Sequence, residues 1–148
     1  MNDFGKSGEA KAVVAAEPTI FSLLHAAHAL EDRVEAALAA VELSSPKHSV
    51  LTELVASDKP LSLGELASRL ACVRSNMTQL IDRLEADGLV KRVDCPTDRR
   101  SVNAAITELG RMRQAAGAAA LADLHRAFAA QVGVEDRAAV ERLLRVLG

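Results

Sequence analysis

Residues 62–84 constrain the fold of this chain more than any other stretch. Leu63, Leu66, Ala67 and Leu70 form one apolar stripe at helical spacing, and Met77, Leu80, Ile81 and Leu84 form a second. The break between the two helical stretches is only "ACV", before "RSNM" opens the second. Ser62 followed by Glu65 has the pattern of a capping box that starts the first helix. Gly88 supplies a left-handed cap that ends the second. Two short helices joined by so tight a turn make a helix-turn-helix.

The next residues decide which kind. "LVKRV" (89–93) and "SVNAAI" (101–106) are strand-like, with a proline and charged residues between them. They predict a β-hairpin whose loop is too long for a two-residue turn. A helix-turn-helix followed by a hairpin is a winged helix.

Longer helices flank this lobe. Residues 1–16 carry Gly, Ser, Lys and Glu without period and read as a loose tail. Pro18 marks a first helical turn, and Phe21, Leu24, Ala27, Leu30, Val34, Leu38 and Val41 continue at helical spacing to about Leu43. A second helix follows Ser45, with Pro46 near its start and Val50, Leu51, Leu54 and Val55 facing inward. Beyond the hairpin, Thr107 caps a long helix that Glu108 suits electrostatically. That helix runs to about Val132, Gly133 breaks it, and a last helix over 134–147 is expected to turn Val140, Leu143, Leu144 and Leu147 inward. The predicted fold is mainly α with a small β-hairpin. The predicted division is a tail (1–16), supporting helices (17–58), a winged lobe (59–106) and C-terminal helices (107–148).

With 148 residues the chain is long enough to bury one core. It has three Phe and neither Tyr nor Trp, so that core must be built of Leu, Val and Ala. No apolar run is long enough to span a bilayer, and the N-terminus lacks the features of a secretory signal. The expectation is a cytoplasmic protein without membrane contact. Cys72 and Cys95 are in no C-x-x-C arrangement, which indicates neither a zinc ribbon nor a disulfide framework. There is no Gly-rich phosphate loop, no G-x-S-x-G and no H-E-x-x-H. Neither an enzyme nor a resident cofactor or metal is expected.

The formal net charge is −2, where a basic balance is usual for nucleic-acid binders. Any grip on DNA must therefore come from local placement. With the apolar stripe of the second short helix facing inward, Ser75 and Gln79 face outward, Asn76 and Thr78 flank them, and Arg74 stands at the entry. These side chains can read base edges or hold phosphates. At the wing tip, Arg99 and Arg100 can enter a narrow, electronegative minor groove. Asp98 is placed to orient one of them, and Pro96 stiffens the loop. Lys91 and Arg92, at the base of the wing, are expected within reach of phosphates.

The run "LASRLACVRSNMTQLIDRLEADGLVKRVDCPTDRRSVNAAITELGR" resembles the DNA-binding lobe of the MarR family of bacterial transcriptional regulators. The resemblance rests on Pro96, Asp98, Arg99, Arg100, Ile106, Thr107, Gly110 and Arg111, and on "DRLEADGLV". It implies a homodimer of triangular outline, with the first helix and the last two as its base and two winged lobes hanging from it. It implies binding to pseudo-palindromic operators, mostly as a repressor. It also implies release of DNA when a small, often aromatic or phenolic, effector binds between base and lobe. The apolar terminal helices and the Ala-rich run 115–120 favour a dimer on their own account.

Two residues depart from the family's pattern. Val73 stands where a good N-cap is usual, which costs on the order of 1 kcal/mol. Gln79 stands where the family often has a basic residue, lowering phosphate affinity or changing base preference. Other readings stay open. A winged helix can serve protein contacts without DNA. Cys95 on the wing, or His25, His28 and His125, could make the chain a redox- or metal-sensing regulator. Cys72 reads as a small core thiol, and the histidines as polar packing at a dimer base.

Overall fold

The computed structural model describes residues 20–95, 98 and 102–148. Six helices and three strands follow one another as α1 (Ile20–Ala39), α2 (Ser45–Ser57), β1 (Leu61–Ser62), α3 (Leu63–Arg69), α4 (Arg74–Ala86), β2 (Val90–Asp94), β3 (Val102–Ile106), α5 (Glu108–Gln131) and α6 (Val134–Leu147). Pro96, Arg99 and Arg100 of the expected wing tip, and the expected tail 1–16, lie outside the described residues. Among those described, no helix is long and apolar enough to cross a membrane.

The helix-turn-helix forms where the two stripes place it. Ser62 Oγ accepts from the Glu65 N–H at 3.2 Å, and Glu65 returns a bond from the Ser62 N–H at 2.9 Å. The Ser62 backbone N–H, and then the Ser62 hydroxyl donating to the same Oε2 at 2.8 Å, hold the Glu65 carboxyl below its ordinary range. Leu66, Ala67, Met77, Ile81 and Leu84 are buried on the facing sides of α3 and α4. The core they share with Leu38, Val50, Leu51 and Leu54 also takes in Leu61, Leu89, Val90 and Ala104. Val73, as expected, provides no side-chain cap for α4.

Several helices stop in the same way. At the end of α4, Leu89 N–H reaches Leu84 O at 2.9 Å and Gly88 N–H reaches Glu85 O, with Gly88 at φ 72°. This is the Schellman arrangement, and buried Leu84 and Leu89 supply its apolar contact. After α3, Cys72 N–H bonds Ala67 O and Ala71 N–H bonds Ser68 O, with Ala71 at φ 48°. After α1, Leu43 N–H bonds Leu38 O, with Glu42 at φ 57°. That turn explains why α1 ends at Ala39 rather than Leu43: the chain reverses and Leu43 plugs back into the core.

The sheet has one more strand than the expected hairpin. Its order is β1-β3-β2 and all pairs are antiparallel. Leu61 pairs with Ala104 and Ser62 with Asn103, while Val90 pairs with Ile106 and Asp94 with Val102. A two-residue strand shows no periodicity to read, so β1 is invisible in sequence.

The chain divides into two compact units, with the boundary inside α1 after Asp32. In the first, Ile20, Phe21, Leu24 and Leu30 are exposed. In the second, the expectation for α6 fails: no residue of that helix is buried, and Leu144 and Leu147 are 62% and 67% exposed. The apolar stripe exists but is only partly covered among the described residues, with Val140 lying beside Phe128 and Val132.

Candidate nucleic-acid interface

Burial sorts the residues of α4 by face. Met77, Ile81 and Leu84 are buried, whereas Arg74, Ser75, Asn76, Thr78 and Gln79 are all exposed. The expected polar face therefore exists as one surface over the first two turns. Thr78 Oγ1 donates to Arg74 O at 3.2 Å, which fixes its rotamer and leaves its lone pairs outward. Arg74 and Gln79 supply donors; Met77 between them is buried and Leu80 half-buried, while Val73 just before Arg74 is exposed.

The base of the wing separates its two cations. Along β2, Val90 is buried, Lys91 exposed and Arg92 half-buried, as side chains must alternate along a strand. Lys91 points to solvent. Arg92 turns back over α4, where its guanidinium pairs with both Asp82 and Glu85. The Arg92 backbone N–H also donates to Glu85 Oε1 at 3.0 Å. These bonds, the backbone one first, hold the Glu85 carboxyl below its ordinary range. The Asp82 contact is the main cause that raises Arg92 further. The sequence does carry a sign of this: two acids three apart on a helix, then an arginine seven residues on. Arg92, expected within reach of phosphates, is engaged by these two carboxylates.

Asp98 is exposed. Arg99 and Arg100, its expected neighbours in function, lie outside the described residues. Cys95 is half-buried at the end of β2, and Cys72 is half-buried against the core, with its Sγ 3.4 Å from Val73 O. His25, His28 and His125 are exposed. His28 Nδ1 lies 2.7 Å from Leu24 O within its own helix. Among the described residues, no three His, Cys, Asp or Glu side chains gather as a metal site.

The lobe is bolted to the long helix by a residue of the family pattern. Thr107 Oγ1 donates to Gly88 O at 2.7 Å and accepts from Gly110 N–H at 3.0 Å. The Thr107 N–H reaches Leu89 O at 3.1 Å. One threonine thus caps α5 and ties it to the turn that ends α4. At the far end of α5, His125 and Phe128, with Val132 just past the helix, form a groove of about 310 Å³ with Arg137 and Val140 of α6. A second recess, about 300 Å³, lies among Glu42, Lys47, Asp87, Leu89 and Arg113. There Lys47 pairs with Asp87, and Arg113 with Glu42.

Comparison with known proteins agrees with this geometry. Residues 43–102 match the MarR family. The HTH-type transcriptional regulator TtmR of Methylorubrum extorquens is 37% identical over 91 residues, which is 62% of this chain and 46% of that protein. The chain spans less than half the length of the curated relatives it matches. Among solved structures, a mutant MarR from E. coli complexed with operator DNA superposes with a TM-score of 0.71 at 22% identity, covering 84% of this chain and 90% of that one. PcaV from Streptomyces coelicolor, in complex with its natural ligand, gives 0.69 at 23%, covering 91% and 96%. These structures share the fold: a mainly helical chain with a small three-stranded sheet in a winged helix-turn-helix. The matched segment, residues 43–102, holds the helix-turn-helix and the first wing strand, and its similarity is to the MarR family.

Proposed function

We propose that the chain is a sequence-specific DNA-binding regulator that acts as a homodimer on a pseudo-palindromic operator, as a ligand-responsive repressor. The observation that carries this reading is the exposed polar face of α4, where Arg74, Ser75, Asn76, Thr78 and Gln79 stand together over a buried stripe. A helix so presented enters a major groove with its early residues at base edges. Gln79 and Asn76 suit adenine, and Ser75 and Thr78 suit bases or phosphate. Lys91 contributes a phosphate contact. Arg99 and Arg100, one of them oriented by Asp98, serve the adjacent minor groove.

Self-association is part of the proposal. The exposed face of α6 includes Val140, Leu143, Leu144 and Leu147. Side by side on one helix face, they make a contiguous apolar surface rather than single scattered residues. A two-fold axis would cover one such patch with its own copy. Two α4 helices would then address half-sites about 34 Å apart. An effector belongs to the same reading, supported by the ligand in the PcaV structure. The recess beside Lys47 and Arg113 is large enough to hold a small one.

The test is selection of bound duplexes from a random pool by the purified protein. The reading predicts an enriched, two-fold symmetric sequence, and a changed consensus for Gln79→Ala. If no sequence is enriched, the lobe is a protein-contact module instead.

A further inference from the structure

The pairing of Arg92 assigns that residue a different task from its neighbour Lys91. Asp82 and Glu85 lie one turn apart on α4 and both engage one guanidinium. Together the three side chains carry a formal charge of −1 (two carboxylates against one guanidinium). A phosphate approaching Arg92 meets that negative sum and would have to break two ion pairs to gain one. The backbone adds a second constraint. β2 is an edge strand, since the sheet runs β1-β3-β2. The Arg92 N–H on its open side is taken by Glu85 Oε1 at 3.0 Å. Glu85 thus holds the strand by its backbone and by its side chain at once.

The elements joined in this way are the two that the DNA-binding reading requires to act together. α4 carries the polar face, and β2 leads into the wing. Between them runs a short turn, Asp87 to Leu89, with Gly88 at φ 72°. Glycine there makes the turn possible but gives it no stiffness. A planar guanidinium forked between two carboxylates fixes an angle as an ammonium cannot.

We propose that Arg92 is a positioning residue, a strut that sets the wing against the recognition helix by bridging Asp82 and Glu85, and that it does not contact DNA. This rests on the DNA-binding reading above.

The experiment compares Arg92→Lys, Arg92→Gln, Glu85→Gln and Lys91→Gln on the selected duplex across a salt series, at a temperature where circular dichroism shows each variant folded. The strut predicts that Arg92→Lys loses as much affinity as Arg92→Gln, about tenfold, the scale of one lost base contact. It predicts an unchanged salt slope for both, while Lys91→Gln lowers the slope by about 0.9. Glu85→Gln removes a negative charge near DNA, yet the strut predicts weaker binding. Retained affinity in Arg92→Lys with a lowered slope in Arg92→Gln would overturn the proposal, as would tighter binding by Glu85→Gln. Amide hydrogen exchange of residues 90–94 gives a second arm that needs no DNA. Exchange should quicken in Glu85→Gln and Arg92→Lys, and unchanged protection would also overturn the strut. If the wild-type chain bound no duplex, the DNA-binding reading would fail, and the exchange arm would still decide whether Arg92 holds the wing.

Discussion

Gly110 rests against the backbone of Leu89 so closely that a β-carbon at position 110 would stand 2.1 Å from the Leu89 carbonyl oxygen. That contact, with the Thr107 hydrogen bonds, sets the long helix against the end of α4. It also gives a physical reason for glycine in the family pattern read from sequence. The neighbour is backbone and cannot rotate away. Gly110→Ala should cost about 2 kcal/mol or more, read as a lowered urea midpoint. Gly64, in α3, is the control: its β-carbon would meet nothing nearer than 3.9 Å. Gly64→Ala should gain about 0.5–1 kcal/mol from helix propensity.

Ala71 closes α3 in the left-handed region at φ 48°. An L-residue is strained there by about 1–2 kcal/mol, and the extra freedom of glycine in the unfolded chain offsets about 0.4–1. Ala71→Gly should therefore stabilise the fold by about 0.5–1 kcal/mol. A thermal melt showing a lower midpoint would contradict the turn as described.

His48 packs its ring on Gly117 of α5, with Cδ2 2.5 Å and Nε2 3.1 Å from where a β-carbon would stand. Its Nε2 is buried without a hydrogen-bond partner among the described residues. Burial lowers the His48 pKa below the ordinary 6.5, partly opposed by a hydrogen bond with the Gln114 backbone. The folded state therefore binds this proton less readily than the unfolded state. The contribution is intact above about pH 6.5. It falls as pH drops from there through the lower folded-state value. Urea denaturation across that range should show stability decreasing with acid. His48→Phe should flatten that part of the curve.

Leu144 is 62% exposed on α6. If this face meets its own copy, Leu144→Glu places a charge at an apolar contact and should shift sedimentation toward the monomer without lowering helix content. An unchanged sedimentation coefficient would remove α6 from the interface.

Much of this architecture was legible in the residues. Apolar spacing located α3, α4 and the longer helices, because a stripe must be buried whatever its neighbours are. Ser62, Glu65, Gly88 and Thr107 announced helix ends through side-chain or backbone chemistry peculiar to them. Glu42 and Ala71 adopt the same left-handed turn as Gly88, but ordinary residues there leave no mark in sequence. β1 was hidden by its length, since pairing with β3 is a tertiary fact. α6 was misjudged because a stripe reports that something must cover it, and not what. At the site, the outward set on α4 followed from the wheel. The engagement of Arg92 depends on a strand folding back over a helix, which local spacing alone does not dictate.

The central claim is tested most directly by titrating the purified protein against its selected duplex at several salt concentrations, by fluorescence anisotropy. The account predicts affinity that falls linearly on logarithmic axes as salt rises, with a slope near −0.9 per phosphate neutralised, and a preference for the selected sequence over a scrambled one at every salt. Affinity indifferent to salt, or equal for both sequences, would contradict it.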